Sequence, residues 1–286
     1  MTGVVRGSTR VAGVIGWPIT HSLSPMLHNA WLAAAGIDGV YIALSPAPER
    51  LATFIDGLRG GVFSGLNVTV PYKEQALALA DTASDRAYKA GAANLLTFAP
   101  DGAVRADNTD GYGLLAAFAA QAPGFKADAA PIAILGAGGA ARGAAAAFLE
   151  AGSPAVRLIN RTLGRAEAVA EGVGGSVETF GWADAKKAFE GAGALINATT
   201  LGLVGGEPLE IDLDGLPHEA IVMDMVYRPL RTALAIRASA RGHRIVDGLE
   251  MLIHQAEPSF EAFFGQSPPA SLDVRALAVA ALEHQA

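Results

Sequence analysis

Ile132-Ala133-Ile134-Leu135-Gly136-Ala137-Gly138-Gly139-Ala140-Ala141-Arg142-Gly143 is the stretch that decides the fold. Four apolar residues with no polar interruption predict a strand buried on both faces, as strands of parallel sheets are. Glycines follow at once, and the alanine-rich run after them predicts a helix ended by Gly152. Strand, glycine turn and helix in this order are what a dinucleotide site requires. The turn is tight, its backbone approaches a pyrophosphate, and the helix opens with N–H groups that lack internal partners and face the anion. Gly136 and Gly138 take the first two glycine positions. Ala141 stands at the third, where only close packing of helix on strand is needed. Ala137, Gly139 and Ala140 complete the expected phosphate turn.

The next strand, predicted over Val156–Asn160, ends in Asn160-Arg161-Thr162, with Arg165 about one helical turn further on. An NAD site carries Asp or Glu about 20 residues beyond the turn, to bind the ribose 2′-hydroxyl. Guanidinium groups suit a 2′-phosphate instead and are poor partners for a neutral diol. The expected cofactor is NADP.

Further out in both directions, short apolar runs alternate with helical stretches. Strands are predicted at Val11–Gly16, Val40–Leu44, Gly65–Val70, Asn94–Phe98, Ala194–Ala198, Ile221–Met225 and Arg244–Val246, with helices between them. This alternation predicts an α/β chain with mostly parallel sheets. Gly111–Gln121 reads as a connecting helix stopped by Ala122-Pro123-Gly124. The expected division is 1–110, 111–248 as the Rossmann-type domain, and 249–286 as C-terminal helices without strands.

Bulk properties narrow the function. The 286 residues are 51% hydrophobic and 17% charged, which permits large cores and argues against disorder. There is no cysteine, which rules out disulfides and thiolate metal sites and fits a reducing cytoplasm. The net charge is −7 with scattered basic residues, so no nucleic-acid face is expected. No apolar run approaches the roughly 20 residues that span a bilayer. No metal-ligand spacing stands out.

Four polar segments interrupt the first 110 residues: His21-Ser22-Leu23-Ser24-Pro25, Asn67-Val68-Thr69-Val70-Pro71-Tyr72-Lys73, Gly91-Ala92-Ala93-Asn94 and Asp107-Asn108-Thr109-Asp110. Ser22 and Ser24 alternate, as do Asn67 and Thr69, which puts each pair on one side of an extended segment. Together the four offer many donors and acceptors, one cation and one anion, a set suited to a small polyol bearing a carboxylate. Singly, each has a plainer reading. Ser24-Pro25 also fits a helix start, Asn108-Thr109-Asp110-Gly111 a turn and cap, and Lys73 a surface lysine. Spacing alone does not prove that the segments converge.

These segments resemble the shikimate dehydrogenase family. Gly16-Trp17-Pro18-Ile19-Thr20-His21-Ser22-Leu23-Ser24-Pro25 is similar to its opening motif, and Asn67 to Glu74 to its Asn-Val-Thr-Val-Pro-x-Lys block. Asp107 to Gly111 resembles its Asp-Asn-Thr-Asp-Gly block. The likeness continues through Gly136, Asn160-Arg161-Thr162, Asp224-Met225-Val226-Tyr227 and Asp247-Gly248…Met251-Leu252-Ile253-His254-Gln255-Ala256. The resemblance implies reversible NADPH-dependent reduction of 3-dehydroshikimate to shikimate, towards chorismate and the aromatic amino acids. It implies two α/β domains flanking a cleft, with the C-terminal helices returning to the first.

By position it implies that Ser22, Ser24, Asn67, Thr69, Lys73, Asn94, Asp110, Tyr227 and Gln255 bind shikimate. Lys73 and Asp110 are then the catalytic pair. Gly136 to Ala140, Asn160, Arg161, Thr162, Arg165, Met225 and Gly248 are cofactor contacts, with Asp85 an acidic residue near the cofactor. A monomer or homodimer fits. The chain departs from the family at Leu95, where Thr is usual, and at Thr200, where Ser is usual. Neither change touches Lys73 or Asp110. Three other readings stay open: a member acting on quinate, a non-catalytic member that senses a nucleotide or ring acid, and a glutamyl-tRNA reductase-like protein. The last would want a reactive cysteine, which the chain lacks.

Overall fold

The computed structural model describes residues 5–284. The chain forms two compact units, one running to Thr109 and rejoined by Gln255–His284, the other Asp110–His254.

The first unit holds a six-stranded sheet built from β1 (Arg10–Ile15), β2 (Gly39–Leu44), β3 (Phe63–Val68), β4 (Thr82–Ala83), β5 (Leu95–Phe98) and β6 (Val104–Asp107). Their order is β2-β1-β3-β5-β6-β4. The half β2-β1-β3 is parallel, whereas β5 runs antiparallel to both β3 and β6. β4 pairs with β6 in parallel again, so mostly parallel pairing holds and β5 is the one strand of the sheet that runs against its neighbours. The cause is the tight turn between β5 and β6, where Ala99 N–H donates to Ala103 O and Gly102 takes φ +89°. So short a connection can join only antiparallel strands.

Leu66 and Val68 of β3 feed an apolar layer with Leu51 and Ile55 of α2 (Leu51–Asp56) and Ala76 of α3 (Lys73–Leu79). By strand alternation Gly65 and Asn67 face the other way. There a Cβ on Gly65 would strike the ring of Phe263 in α10 (Gly248–Phe264). On this same side an aromatic group joins Trp31 and His28 of α1 (Ser24–Ala35) to Tyr41, Phe260 and Phe263.

The second unit holds a fully parallel sheet in the order β12-β11-β10-β7-β8-β9. Its strands are β7 (Ile132–Leu135), β8 (Val156–Asn160), β9 (Val177–Gly181), β10 (Ala194–Asn197), β11 (Ile221–Asp224) and β12 (Ile245–Asp247). Renumbered from β7, this is the order 3-2-1-4-5-6 of a dinucleotide-binding fold. All four residues of β7 are fully buried. Ile132 and Ile134 pack with Phe118 of α5 (Asp110–Gln121) and Phe148 of α6 (Gly139–Glu150). Ala133 and Leu135 pack on the opposite face with Phe189 of α8 (Ala185–Phe189) and Leu234 of α9 (Ala233–Ala240). Burial on both faces is why β7 reads as an unbroken apolar run.

The remaining elements are α4 (Asp85–Ala90), α7 (Leu163–Val173) and α11 (Val274–Glu283). The boundary between the units falls inside α10, between His254 and Gln255. Among the described residues no helix is long and apolar enough to cross a membrane.

Candidate active site

In the first unit the polar segments come together. Thr69 N–H donates to Ile15 O at 2.9 Å, and Trp17 N–H donates to Val70 O at 3.1 Å. These bonds bring the chain after β3 beside the chain after β1. The strand ends at Val68, so Thr69 lies just past it. Ser22 Oγ accepts from Ser24 N–H at 3.3 Å, which ties the two serines at the start of α1. Lys73 is the first residue of α3, half-buried, and its carbonyl accepts from Ala93 N–H at 2.8 Å, so its position is set by the segment that carries Asn94.

Asn67 and Asn94 are nearly buried, at 6% and 2% exposure, and their amides are held on several sides. Asn67 Nδ2 donates to Asn94 O (3.1 Å) and to Ser259 Oγ (2.8 Å), while its Oδ1 accepts from the Tyr41 hydroxyl (2.7 Å). Asn94 Nδ2 donates to Thr109 Oγ1 (2.9 Å) and Gln255 Oε1 (3.3 Å), and its Oδ1 accepts from Thr109 N–H (2.8 Å). The Thr109 hydroxyl donates to Gln255 O at 2.8 Å. Asn67, Asn94 and Thr109 are buried and half-buried Gln255 joins them in one hydrogen-bond network, and mutual pairing of this kind stiffens the groups it links. Burial pushes the Tyr41 hydroxyl pKa well above its ordinary value, so it stays a donor.

Thr109 stands inside a polar segment that the sequence flags, but nothing there assigns it a role. Tyr41 and Ser259 carry no sequence signal at all. Tyr41 is a single polar residue inside an apolar run, Ser259 lies among the mixed residues of a helix, and both are far along the chain from Asn67. Leu95 lies directly opposite Asn67 in the β3–β5 pairing, on the same face, and is 3% exposed. The residue that replaces the usual Thr is therefore packed in the interior.

Asp110 opens α5 as the first residue of the second unit, where a carboxylate is favoured by the helix dipole. Asp85 is exposed in the first turn of α4, in the first unit. Beside it, Asp107 takes a bidentate pair from Arg86 and a hydroxyl from Ser84. Burial raises the Asp107 carboxyl pKa, and these donors outweigh that and hold it below the usual range.

The second unit carries the glycine turn expected to bind phosphate. Gly136, at φ +113°, sits between β7 and β10, where a Cβ would come within 3.1 Å of Thr199 Cγ2 and 3.2 Å of Ala198 O. Strand order reverses between β7 and β10, and ligands of open α/β sheets bind outside the strand ends at such a point. Gly138 and Gly139 differ from Gly136, since a Cβ on either would meet nothing within 4 Å. Gly138 has the extended φ of −103°, which any residue adopts. Nothing in the protein therefore requires glycine at 138 or 139. An open surface over the start of α6 is what a close-lying anion needs. The first helical bond runs from Arg142 N–H to Gly138 O, which leaves the N–H groups of Gly139, Ala140 and Ala141 without helical partners.

Asn160 Nδ2 donates to Thr162 O at 2.8 Å and shapes the turn after β8. Arg161 and Arg165 are exposed beyond it, and Arg161 meets Glu207 at 3.4 Å. On the other side of the switch point, buried Asp224 accepts from Asn197 Nδ2, Val226 N–H and the Thr232 hydroxyl. Burial raises its pKa despite those donors. Met225 and Tyr227 follow, both half-buried, and burial also raises the Tyr227 hydroxyl pKa. A Cβ on Gly248 would collide with the Met225 carbonyl oxygen and lie 2.6 Å from its carbon. Gly248 thus lets α10 start directly against the Met225 backbone. Among the described residues no group of acidic and histidine side chains is arranged to hold a metal.

Three stretches match known families: residues 14–96 the shikimate dehydrogenase substrate binding domain, 118–203 shikimate / quinate 5-dehydrogenase, and 248–277 the shikimate 5'-dehydrogenase C-terminal domain. The shikimate dehydrogenase (NADP(+)) of Caulobacter vibrioides is 57% identical over 279 residues, covering 98% of each chain. The shikimate 5-dehydrogenase of Thermus thermophilus, solved with NADP(H) and shikimate, is 35% identical with TM-score 0.83, covering 92% of this chain and 96% of that one. The quinate dehydrogenase of Corynebacterium glutamicum, solved with NAD, is 29% identical with TM-score 0.84, covering 92% and 96%.

Proposed function

The chain belongs to the shikimate dehydrogenase family, and from that membership we propose how its residues divide the work. It is an NADP-dependent oxidoreductase that interconverts 3-dehydroshikimate and shikimate, a step towards chorismate and the aromatic amino acids. The observation that carries the assignment of roles is a separation of chemistries. The serines, asparagines and glutamine suited to a polyhydroxylated ring acid share the first unit. The glycine turn and the exposed arginines share the second.

Residues 1–110 with the C-terminal helices take the ring acid, through Ser22, Ser24, Asn67, Thr69, Asn94 and Gln255. Residues 111–248 take the dinucleotide and contribute Tyr227. The second unit fits NADP on its own geometry. The open face over Gly138 and Gly139 admits a pyrophosphate to the three N–H groups that start α6. Arg161 and Arg165, exposed at the end of β8, suit the 2′-phosphate. Bound NADPH supplies the hydride.

Lys73 supplies the proton. The carbonyl oxygen of 3-dehydroshikimate takes it from the lysine ammonium in reduction, and the hydroxyl returns it in oxidation. Asp110, matched by resemblance to the family's catalytic aspartate, accepts from a ring hydroxyl. The absence of cysteine fits a reducing cytoplasm, and a monomer or homodimer suffices for this division. Initial rates and equilibrium binding test the assignment together. The Lys73→Ala protein should bind shikimate with little loss and turn over about 10²–10⁴-fold more slowly. Near-normal turnover with saturable shikimate binding would show that the proton comes from elsewhere.

A further inference from the structure

We propose that Tyr41 and Ser259 are positioning residues for shikimate recognition, acting through the side chain of Asn67. This rests on the reading that the polar network of the first unit binds the ring acid.

The orientation of the Asn67 amide is fixed by chemistry. One of its neighbours is the main-chain carbonyl of Asn94, which can only accept. The amide nitrogen must therefore point that way, since a flipped amide would set two acceptors against each other. Its second hydrogen goes to Ser259 Oγ at 2.8 Å, and Ser259 is fully buried one helical turn beyond Gln255 on α10. The opposite end receives the Tyr41 hydroxyl at 2.7 Å. Tyr41 is itself 1% exposed and stacked on His28, with ring centroids 4.0 Å apart and planes 5° apart. Both clamps are buried, and both amide hydrogens are in use.

A consequence follows for recognition. A carbonyl oxygen has two acceptor sites, and Tyr41 occupies one. What Asn67 has left is a single acceptor position. It suits a hydroxyl that donates and disfavours a carboxylate or ketone, which can only accept. A site committed in this way discriminates strongly, because the wrong partner leaves a buried polar group unpaired. Without Tyr41 or Ser259 the amide gains rotational freedom and loses that commitment. The same helix carries Gln255, whose Oε1 accepts from Asn94, so α10 braces both asparagines at once.

The test is steady-state kinetics of the full-length protein with Tyr41→Phe and Ser259→Ala, alone and each combined with Asn67→Ala. Loss of one buried hydrogen bond should raise the KM for shikimate about tenfold. The KM for NADP and kcat should stay within about twofold, because neither residue contacts reacting atoms. In the Asn67→Ala background the same substitutions should add nothing, since residues acting through a shared partner are not additive. An unchanged shikimate KM in the single variants overturns the proposal. So does an equal further rise in the Asn67→Ala background, or a rise of the KM for both shikimate and NADP together with a fall in melting temperature, which marks a general packing role. If Asn67→Ala does not fold, Asn67→Ser serves as the background. A wild-type protein that fails to oxidise shikimate removes the functional reading and this inference together. A wild-type protein that does so with no KM effect in the variants removes the inference alone.

Discussion

Substituting Gly139 by Ala should raise stability and lower NADP affinity, two effects of opposite sign from one methyl group. Gly139 is the first helical residue of α6, and a Cβ there meets no protein atom within 4 Å. Alanine loses less conformational freedom on folding than glycine does, and in a helix this is worth about 0.5–1 kcal/mol. For a chain of this size the midpoint should rise by about 1–3 °C. The new methyl group leans towards the helix N-terminus, as every helical Cβ does. That is the side from which a pyrophosphate would reach the N–H groups of Gly139, Ala140 and Ala141. Pushing the anion back by one methyl radius should weaken at least one charge-assisted hydrogen bond, worth about 1.5–3 kcal/mol. The dissociation constant for NADP should then rise about 10- to 100-fold. Thermal unfolding without cofactor measures the first effect, and fluorescence titration with NADP the second. Affinity within twofold of the parent protein would refute the placement of the pyrophosphate over this turn. A fall in both quantities would mean that α6 is damaged.

Other perturbations give results of different kinds. Replacing Arg161 and Arg165 by neutral residues should raise the KM for NADP much more than that for NAD, and equal rises would exclude a 2′-phosphate clamp. Gly248→Ala should destabilise by about 1–3 kcal/mol in urea unfolding, since its Cβ meets the Met225 backbone, which cannot rotate away. An unchanged midpoint would show that α10 starts less tightly than described. His28 is fully buried with neither ring nitrogen paired, and burial lowers its pKa from 6.5 to about 3. Between these values only the unfolded chain takes up the proton, so this contribution to stability is lost as pH falls below 6.5. The slope due to His28 should be about 1.4 kcal/mol per pH unit, and His28→Phe should remove it. Parallel stability curves for the two proteins between pH 7 and pH 4.5 would contradict this.

How much of this was readable from residues alone depended on whether the signal was local. The turn at Gly136 lies between a strand and a helix that each announce themselves, so the second unit was legible from one stretch. The sheet of the first unit was less so. Val104–Asp107 alternates over only four residues, too short a pattern to announce the antiparallel β5–β6 pair, although Pro100-Asp101-Gly102 marks a turn. Val177–Gly181 carries no strand signal because it is an edge strand, partly exposed and lacking a continuous apolar run. In the candidate site, Ser22, Asn67 and Lys73 stood out because they interrupt apolar runs in clusters. Tyr41 and Ser259 did not, because each meets Asn67 only through the tertiary fold. Pattern reading finds residues that face a ligand more readily than the residues that hold them in place.

The most direct measurement of the functional assignment is absorbance at the reduced nicotinamide band with purified protein, shikimate or quinate, and NADP⁺ or NAD⁺. Shikimate with NADP⁺ should give the highest kcat/KM of the four combinations, with loss of the signal in Lys73→Ala. Preference for quinate with NAD⁺, or no reduction in any combination, would contradict it.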